Sequence, residues 1–218
     1  MLLAAQDPWI RWDWVQSHTQ RITDATVQHI ELTAIAVGLG FLLAVPIGLF
    51  AWRYRKGRGA VLSVAGALYT IPSLALFALL VPYTGLTFVT AEIGLVSYTL
   101  LILVRNIVVG LDGVPAEVRD AARGMGFRTG AQLLRVELPL ALPVIMAGVR
   151  IATVTTIGLV TITALIGEGG LGQLILDGLV RDFRTPLVVG GVLSIALAIL
   201  CDVGLGFLQR AITPWSHA

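Results

Sequence analysis

Five long apolar runs, separated by short polar segments, constrain this 218-residue chain more than any other feature. A bilayer core about 30 Å thick requires roughly 20 mostly apolar residues per spanning helix. The five runs meet this requirement and cover residues 27–52, 59–81, 88–111, 138–166 and 186–209. With 56% hydrophobic residues, 13% charged residues and a mean hydropathy of +0.88, the chain is too apolar for a soluble domain. We therefore predict an all-α, polytopic membrane protein with about five transmembrane helices.

The distribution of basic residues predicts the orientation of these helices, because short cytoplasmic loops carry an excess of Lys and Arg. Two loops each contain four basic residues: Arg53, Arg55, Lys56 and Arg58, and Arg119, Arg123, Arg128 and Arg135. The linker 82–87 contains none, and segment 168–185 balances its two arginines with acidic residues. We expect the two basic loops and the tail 211–218 to be cytoplasmic. The N-terminal segment 1–26 is then extracytoplasmic, as an interfacial tryptophan belt or a disordered tail.

A polar stretch at residues 115–135 separates the third run from the fourth. In it, Asp120-Ala121-Ala122 precedes Gly126, and Val136-Glu137-Leu138-Pro139 follows after nine intervening residues. This spacing resembles the EAA loop of the membrane subunits of ATP-binding-cassette importers, with Asp120 replacing the usual Glu and Val136 the usual Ile. The resemblance implies a cytoplasmic helix-turn-helix on which an ATPase docks. It assigns this coupling role to Glu117, Asp120, Ala121, Ala122, Gly126, Leu138 and Pro139.

The residue types within this loop also favour a short helix followed by a reversal. Polar and small apolar residues alternate at roughly helical spacing between residues 116 and 127. Pro115 suits the first turn of such a helix, and Gly124, Gly126 and Gly130 suit a chain reversal. The alternative is an ordinary charged loop between two spans.

A wider resemblance, over about residues 30–206, links the chain to the permease subunits of osmoprotectant importers, which have the type I, MetI-like fold. The motifs that carry it are Tyr69-Thr70-Ile71-Pro72-Ser73-Leu74-Ala75-Leu76, Val104-Arg105-Asn106, Gly124-Met125-Gly126, Val136-Glu137-Leu138-Pro139-Leu140-Ala141 and Gly169-Gly170-Leu171-Gly172. The resemblance implies glycine betaine, choline or carnitine as cargo, selected by an aromatic cage in a separate extracytoplasmic binding protein. We expect Tyr69, Thr70, Pro72 and Ser73 to line the translocation path, with a packing kink as the alternative.

The third, fourth and fifth runs each carry an intramembrane charge, namely Arg105, Arg150 and Asp202. Charges in a bilayer are costly and are usually paired or hydrated. All three lie roughly 9 to 15 Å from the predicted cytoplasmic ends of their spans, at about 1.5 Å per helical residue. We hypothesise that Asp202 neutralises Arg150, whereas Arg105 lies nearer the loop or snorkels to the headgroups.

Several common functional motifs are absent or misleading. The sequence Gly167-Glu168-Gly169-Gly170-Leu171-Gly172 matches a dinucleotide fingerprint, but that fingerprint requires a preceding strand, whereas here it follows a predicted span. We interpret it as a turn leading into a short extracytoplasmic helix. The lone lysine is not part of a P-loop, and His18, His29 and His217 have no metal-ligand spacing. We therefore expect no enzymatic activity, cofactor or metal site in this chain.

These observations predict a multi-pass subunit of the plasma or inner membrane that forms a translocation path. We divide the chain into segment 1–26, a transmembrane domain at 27–210 and tail 211–218. The expected protein partners are a cytoplasmic ATP-binding subunit, a second permease chain and an extracytoplasmic substrate-binding protein. The ATP-binding subunit holds ATP and Mg²⁺, and the second permease is either identical or paralogous. The chain also contacts the lipid bilayer, but we expect no nucleic acid partner. The alternatives are a self-contained secondary carrier or channel and a permease of the same fold for amino acids such as methionine.

Overall fold

The computed structural model describes residues 8–216, and every regular element in that part is helical. The α-helices are α1 (Trp12–Ser17), α2 (Thr19–Arg53), α3 (Arg55–Thr70), α4 (Ser73–Thr84), α5 (Phe88–Asp112), α6 (Ala116–Gly124), α7 (Thr129–Gln132), α8 (Leu138–Val160), α9 (Leu171–Val180) and α10 (Arg184–Ile212). A π-helical turn (Leu133–Glu137) joins α7 to α8, and 3₁₀ turns occupy Ile162–Ile166 and Pro214–Ser216. The prediction of an all-α fold is confirmed.

Within residues 8–216, four helices are long and apolar enough to cross a membrane: α2, α5, the continuous segment Thr129–Val160 and α10. The predicted run 59–81 is not one helix, because α3 ends at Thr70 and α4 begins at Ser73. Pro72 explains this break, since its ring disfavours helical geometry at the preceding residue and it has no N–H to donate. The number of spans is five if the bent pair of α3 and α4 counts as one.

The helix that contains the first predicted run begins earlier than the run itself, because α2 starts at Thr19 and the run at residue 27. The hydroxyls of Thr23 and Thr26 donate hydrogen bonds to the backbone carbonyls of Thr19 and Ile22, so these polar residues extend the helix at little cost in free energy. Much of the predicted N-terminal segment is thus helical, although its residues 1–7 lie outside the described residues. The short helix predicted after the glycine-rich turn is present as α9.

The chain divides into two compact units. Unit 1 comprises Met1–Ala36, Ile71–Val96 and Thr153–Leu200. Its apolar core takes residues from α2, α4, α5, α8 and the 3₁₀ turn. The buried members are Leu32, Ala36, Phe77, Ala91, Leu95, Val160 and Ile166.

Unit 2 comprises Val37–Thr70, Ser97–Ala152 and Cys201–Ala218. Its core consists of Ala44, Leu103, Val104, Ile107, Leu111, Ala141, Ile145 and Ala152. Small residues allow its helices to approach closely, as is common in membranes. A Cβ added at Gly110 would lie 2.9 Å from the backbone oxygen of Ala141, and one at Gly148 would lie 2.5 Å from the Cβ of Asn106. This close packing of α5 against α8 fixes the two ends of the loop that contains α6.

Candidate functional site

Helix α6 has well-defined ends that follow from its sequence. Pro115 caps its start with φ −58°, a value that the proline ring imposes. Glu117 lies in the first turn and Arg123 in the last, so both charges complement the helix dipole. At the other end, Gly126 adopts φ +82°, and the N–H of Phe127 donates to the carbonyl of Ala122 at 3.1 Å. This Schellman-type ending requires a residue that tolerates positive φ, and it confirms the predicted reversal.

The seven residues that resemble the docking motif divide into an exposed set and an internal set. Glu117, Asp120, Ala121 and Gly126 are exposed. Ala122 is buried, and Leu138 and Pro139 are partly buried at the start of α8. The exposed set can therefore contact another protein, whereas the internal set holds α6 and α8 in place.

Two further residues enlarge the exposed surface of α6. Met125, at the end of α6, is apolar, yet it is 71% exposed. Arg123 pairs with Asp120 at 3.3 Å, but both side chains are largely exposed, so this ion pair adds little stability. The surface formed by Glu117, Asp120, Ala121, Arg123 and Met125 is hereafter the α6 face. A small, exposed helix with an apolar side chain among charges is suited to insertion into a shallow groove.

A buried carboxylate lies beneath the α6 face. Glu137, in the π-helical turn, is only 3% exposed. Its Oε1 accepts a hydrogen bond of 2.7 Å from the side-chain amide of Gln132, which is also buried. The Nε of Arg119 lies 3.8 Å from the same oxygen, close enough for an ion pair but too far for a hydrogen bond. We call Arg119, Gln132 and Glu137 the loop triad.

Arg119 also connects α6 to two other helices of unit 2. Its Nη2 donates to the carbonyl of Leu111 near the end of α5 at 2.5 Å. Its guanidinium lies 5.9 Å from the ring centre of Trp52, at the end of α2. The loop triad and these two contacts together link α2, α5, α6 and the entry to α8. Arg119 thus places α6 in direct contact with the ends of α2 and α5 and with the start of α8.

A cleft of about 360 Å³ opens beside the loop triad. It is lined by Trp52, Arg53, Arg55, Arg119, Arg123, Thr129, Gln132 and Glu137. Four arginines face one carboxylate, so the cleft is strongly basic. An acidic partner surface would complement this charge.

The structure places the four predicted path residues at the break between α3 and α4. Tyr69 and Thr70 end α3, Pro72 caps α4 and Ser73 is its first residue. The ring of Tyr69 lies 5.8 Å from that of Tyr98, edge to face. The hydroxyl of Thr70 donates to the carbonyl of Ala67, so it is satisfied within its own helix. Their role in a path remains a prediction.

The predicted pair between Arg150 and Asp202 is present in unit 2. The Nε and Nη2 of Arg150 each donate to one carboxylate oxygen of Asp202 at 2.9 Å, in a bidentate arrangement. Arg105 is exposed and forms no ion pair with a described residue. Two of the three predicted intramembrane charges therefore act together, and the third stands apart.

The sequence prediction overlooked one intramembrane acid, Glu92 in α5. This residue is 6% exposed, and neither carboxylate oxygen has a hydrogen-bond partner among the described residues. It lies next to Ala91 and one turn before Leu95, both of which are in the core of unit 1. A single acidic residue barely changes the hydropathy of a run of 24 mostly apolar residues, so the sequence pattern offered no sign that Glu92 is buried.

The glycine-rich segment 167–172 allows the backbone of unit 1 to pack closely. It lies between the 3₁₀ turn and α9, with no strand in the described part of the chain. A Cβ at Gly170 would lie 2.7 Å from the backbone of His29, and one at Gly172 would lie 2.4 Å from the oxygen of Thr161. The N–H of Gly170 also donates to the side chain of Gln28 at 3.1 Å. These contacts explain the glycine spacing without a nucleotide.

Comparison with known proteins agrees with these features. Residues 36–214 match the family described as "Binding-protein-dependent transport system inner membrane component". The choline transport system permease protein OpuBB of Bacillus subtilis is 37% identical over 202 residues, which are 92% of this chain and 93% of that protein. The osmoprotectant import permease protein OsmW of Salmonella typhimurium is 40% identical over 198 residues, 88% of this chain and 92% of that protein.

A solved structure shows the same fold. An inward-facing form of the MetNI methionine ABC transporter contains a chain with a TM-score of 0.79 and 21% identity, covering 90% of this chain and 98% of that one. At this identity the match establishes the fold alone. The family match covers most of the sequence, and the long apolar helices are those of a multi-pass membrane protein. The chain belongs to the binding-protein-dependent transport system inner membrane components, the permease subunits of ATP-binding-cassette importers.

Proposed function

We propose that this permease imports quaternary-amine osmoprotectants, of the class that includes glycine betaine, choline and carnitine. The observation that carries the substrate class is the similarity, over about nine-tenths of the chain, to permeases named for choline and for osmoprotectants. Selection among these compounds rests on a separate extracytoplasmic binding protein, in which an aromatic cage holds the quaternary ammonium. The permease supplies the route across the membrane.

Energy enters through the α6 face, on which a cytoplasmic ATPase docks. The ATPase holds ATP and Mg²⁺, so this chain contributes docking and transmission. The basic cleft attracts an acidic partner surface, while Met125 provides an apolar anchor among charged residues. The loop triad then transmits a movement of α6 into α8, because Glu137 belongs to the turn from which α8 continues.

The proposed orientation has the N-terminus outside and the C-terminus inside. It follows from the basic loops at 53–58 and 119–135, and it places α6 in the cytoplasm. One chain offers one docking loop and thus engages one ATPase. The working complex therefore requires two permease chains, either identical or paralogous, with Tyr69, Thr70, Pro72 and Ser73 bordering the path.

Reconstitution in liposomes tests this function. The purified chain is incorporated with its ATPase and supplied with the binding protein, and the uptake of labelled glycine betaine, choline and carnitine is measured. We expect uptake that requires ATP, the ATPase and the binding protein together. Uptake by this chain alone, without ATP, would instead identify a secondary carrier. Uptake of methionine or another amino acid in preference to quaternary amines would contradict the substrate class.

A further inference from the structure

A second polar cavity lies in unit 2, at the Arg150–Asp202 pair. Its volume is about 300 Å³, and Arg150, Asp202, Gly206, Phe207, Gln209 and Arg210 contribute to its lining. All but Arg150 lie on α10. Neither the loop triad nor the α6 face contributes to this cavity, so the coupling role does not explain it.

The charges of this cavity are paired but remain accessible. Three of the five N–H groups of Arg150 are used, two on Asp202 and one on Gln209 at 3.3 Å. The side chain of Arg150 is 33% exposed and that of Asp202 is 40% exposed. Exposing an ion pair to hydrocarbon is costly, and such residues normally face a water-filled space. The free faces of both groups are therefore available to a polar ligand.

Two neighbouring residues keep this arrangement fixed and open. Gln209 accepts from Arg150 and donates its own amide to the carbonyl of Pro143 at 3.1 Å, so it orients the guanidinium from a rigid point on α8. Gly206 places no side chain over the guanidinium, since a Cβ there would lie 3.5 Å from its central carbon. A larger residue at 206 would cover the face that a ligand needs.

The residues of the cavity offer both signs of charge and an aromatic ring. Arg150 has two uncommitted N–H groups, and Arg210 lies over the ring of Phe207 at 5.9 Å. These groups suit a carboxylate. Asp202 suits a quaternary ammonium, which has no N–H to donate and is held by opposite charge. The face of Phe207 that Arg210 does not cover adds cation–π attraction.

We propose that this cavity is a low-affinity site for a zwitterion that carries both an ammonium and an acidic group, on the inner half of the translocation route. The inference rests on the proposed function and deepens it, since it names a point in the permease that recognises the cargo. The headgroup of a zwitterionic phospholipid has the same chemistry. Asp202 lies ten residues before the end of α10, about 15 Å along the helix, whereas Gln209 and Arg210 lie in its last turn. The cavity thus extends from the span to its end, and the lipid composition of the test membrane distinguishes a soluble zwitterion from a headgroup.

Binding to the permease–ATPase complex without the binding protein tests the proposal directly. The complex is placed in nanodiscs of phosphatidylglycerol only, and equilibrium binding of labelled glycine betaine is measured. We expect saturable binding that weakens about tenfold or more in Asp202→Asn and in Arg150→Gln, the range expected when a charged hydrogen-bond or ion-pair partner is lost. Choline and propionate, which each carry one half of the zwitterion, should compete more weakly. Unchanged binding in both variants would overturn the proposal.

A matched control separates this site from a generic loss of charge. Arg58 and Asp112 form another interhelical ion pair of unit 2, at 2.5 Å. The side chains of this pair are about as exposed as those of Arg150 and Asp202, but neither Arg58 nor Asp112 lines the cavity. Asp112→Asn should therefore leave glycine betaine binding within about twofold of wild type. An equal loss in this control would indicate nonspecific damage and would count against the site.

An exchanged pair separates ligand binding from a purely structural role. The double variant Arg150→Asp with Asp202→Arg restores the interhelical ion pair but reverses its polarity. We expect thermal stability to recover relative to each single variant, while glycine betaine binding stays at least about tenfold weaker than wild type. Recovery of both thermal stability and glycine betaine binding would show that the pair only holds the two helices together.

The lipid composition of the nanodiscs identifies the source of the zwitterion. Replacing half of the phosphatidylglycerol by phosphatidylethanolamine should leave the affinity for glycine betaine unchanged. Loss of glycine betaine binding on this replacement would assign the cavity to a headgroup and overturn the proposal. If the wild-type complex fails to import any quaternary amine, the proposed function itself fails. If import is intact but the cavity variants bind normally, only this inference fails.

Discussion

Replacing Glu137 by alanine tests how the loop is held together. The change leaves the amide of Gln132 without its acceptor in a position that is 5% exposed. Leaving a buried polar group unpaired costs about 1–3 kcal/mol. The lost ion pair with Arg119 adds about 1 kcal/mol or less, because the two groups are 3.8 Å apart and the side chain of Arg119 is 20% exposed. We expect a loss of about 2–3 kcal/mol in the local stability of the loop.

Hydrogen exchange measured by mass spectrometry reports this loss directly. Amides of α6 and of the π-helical turn should exchange roughly 30 to 150 times faster in the variant, since each 1.4 kcal/mol corresponds to a factor of ten. Amides of α9, in the other unit, should be unaffected. The variant should also hydrolyse ATP with its partner while importing less substrate per ATP. Glu137→Gln, which keeps a hydrogen bond to Gln132, should give a smaller effect on both measurements.

The reasoning fails in either of two ways. Unchanged exchange in α6 of Glu137→Ala would mean that the loop triad does not hold the loop. Faster exchange with an unchanged ratio of transport to ATP hydrolysis would mean that the triad is structural but does not transmit motion. A double-mutant cycle with Gln132→Ala measures the coupling energy between the two side chains, which we expect to be about 1 kcal/mol.

Three further predictions concern single positions. Gly126→Val should strain the backbone, which has φ +82° there, and reduce transport per ATP severalfold. Gly130→Val, at a position of ordinary φ with open space around its Cβ, should leave transport per ATP unchanged, and equal effects of the two variants would contradict the docking geometry. Glu92→Leu should raise the thermal stability of the purified chain by about 1–3 kcal/mol, because it removes a buried carboxylate without a hydrogen-bond partner, and a lowered melting temperature would refute this. Gly172→Ala should destabilise the chain by at least about 1 kcal/mol in the same assay, since its Cβ would lie 2.4 Å from the oxygen of Thr161, and wild-type stability would show that α9 shifts freely.

The sequence was sufficient to predict α6 because its signals are local. Pro115 determines where the helix begins, and Gly126 supplies the positive φ at which it ends. The pairing of Arg150 with Asp202 was also predictable, since a bilayer leaves few alternatives for two opposite charges at similar depth.

The loop triad was not predictable in the same way. Its members lie at positions 119, 132 and 137, and only the packing of α6 against the π-helical turn brings them together. No periodicity in the sequence indicates that Glu137 points inward, because a regular α-helix at 133–137 would rotate it to another face. The broken span posed a related problem: Pro72 was evident, but whether a proline kinks or interrupts a helix depends on the tertiary contacts of both halves.

Site-specific cross-linking tests the central claim, that the α6 face is where the ATPase docks. Cys201 is the chain's single cysteine, so Cys201→Ala provides a background for one introduced thiol. Met125→Cys would place that thiol on the α6 face, and Tyr83→Cys, at a residue 88% exposed on the linker 82–87 that we predict to be extracytoplasmic, provides the control. We predict that the thiol at position 125 cross-links to the ATPase in high yield and that the one at 83 does not. A thiol at 125 that stays fully reactive and uncross-linked in the assembled complex would contradict the account.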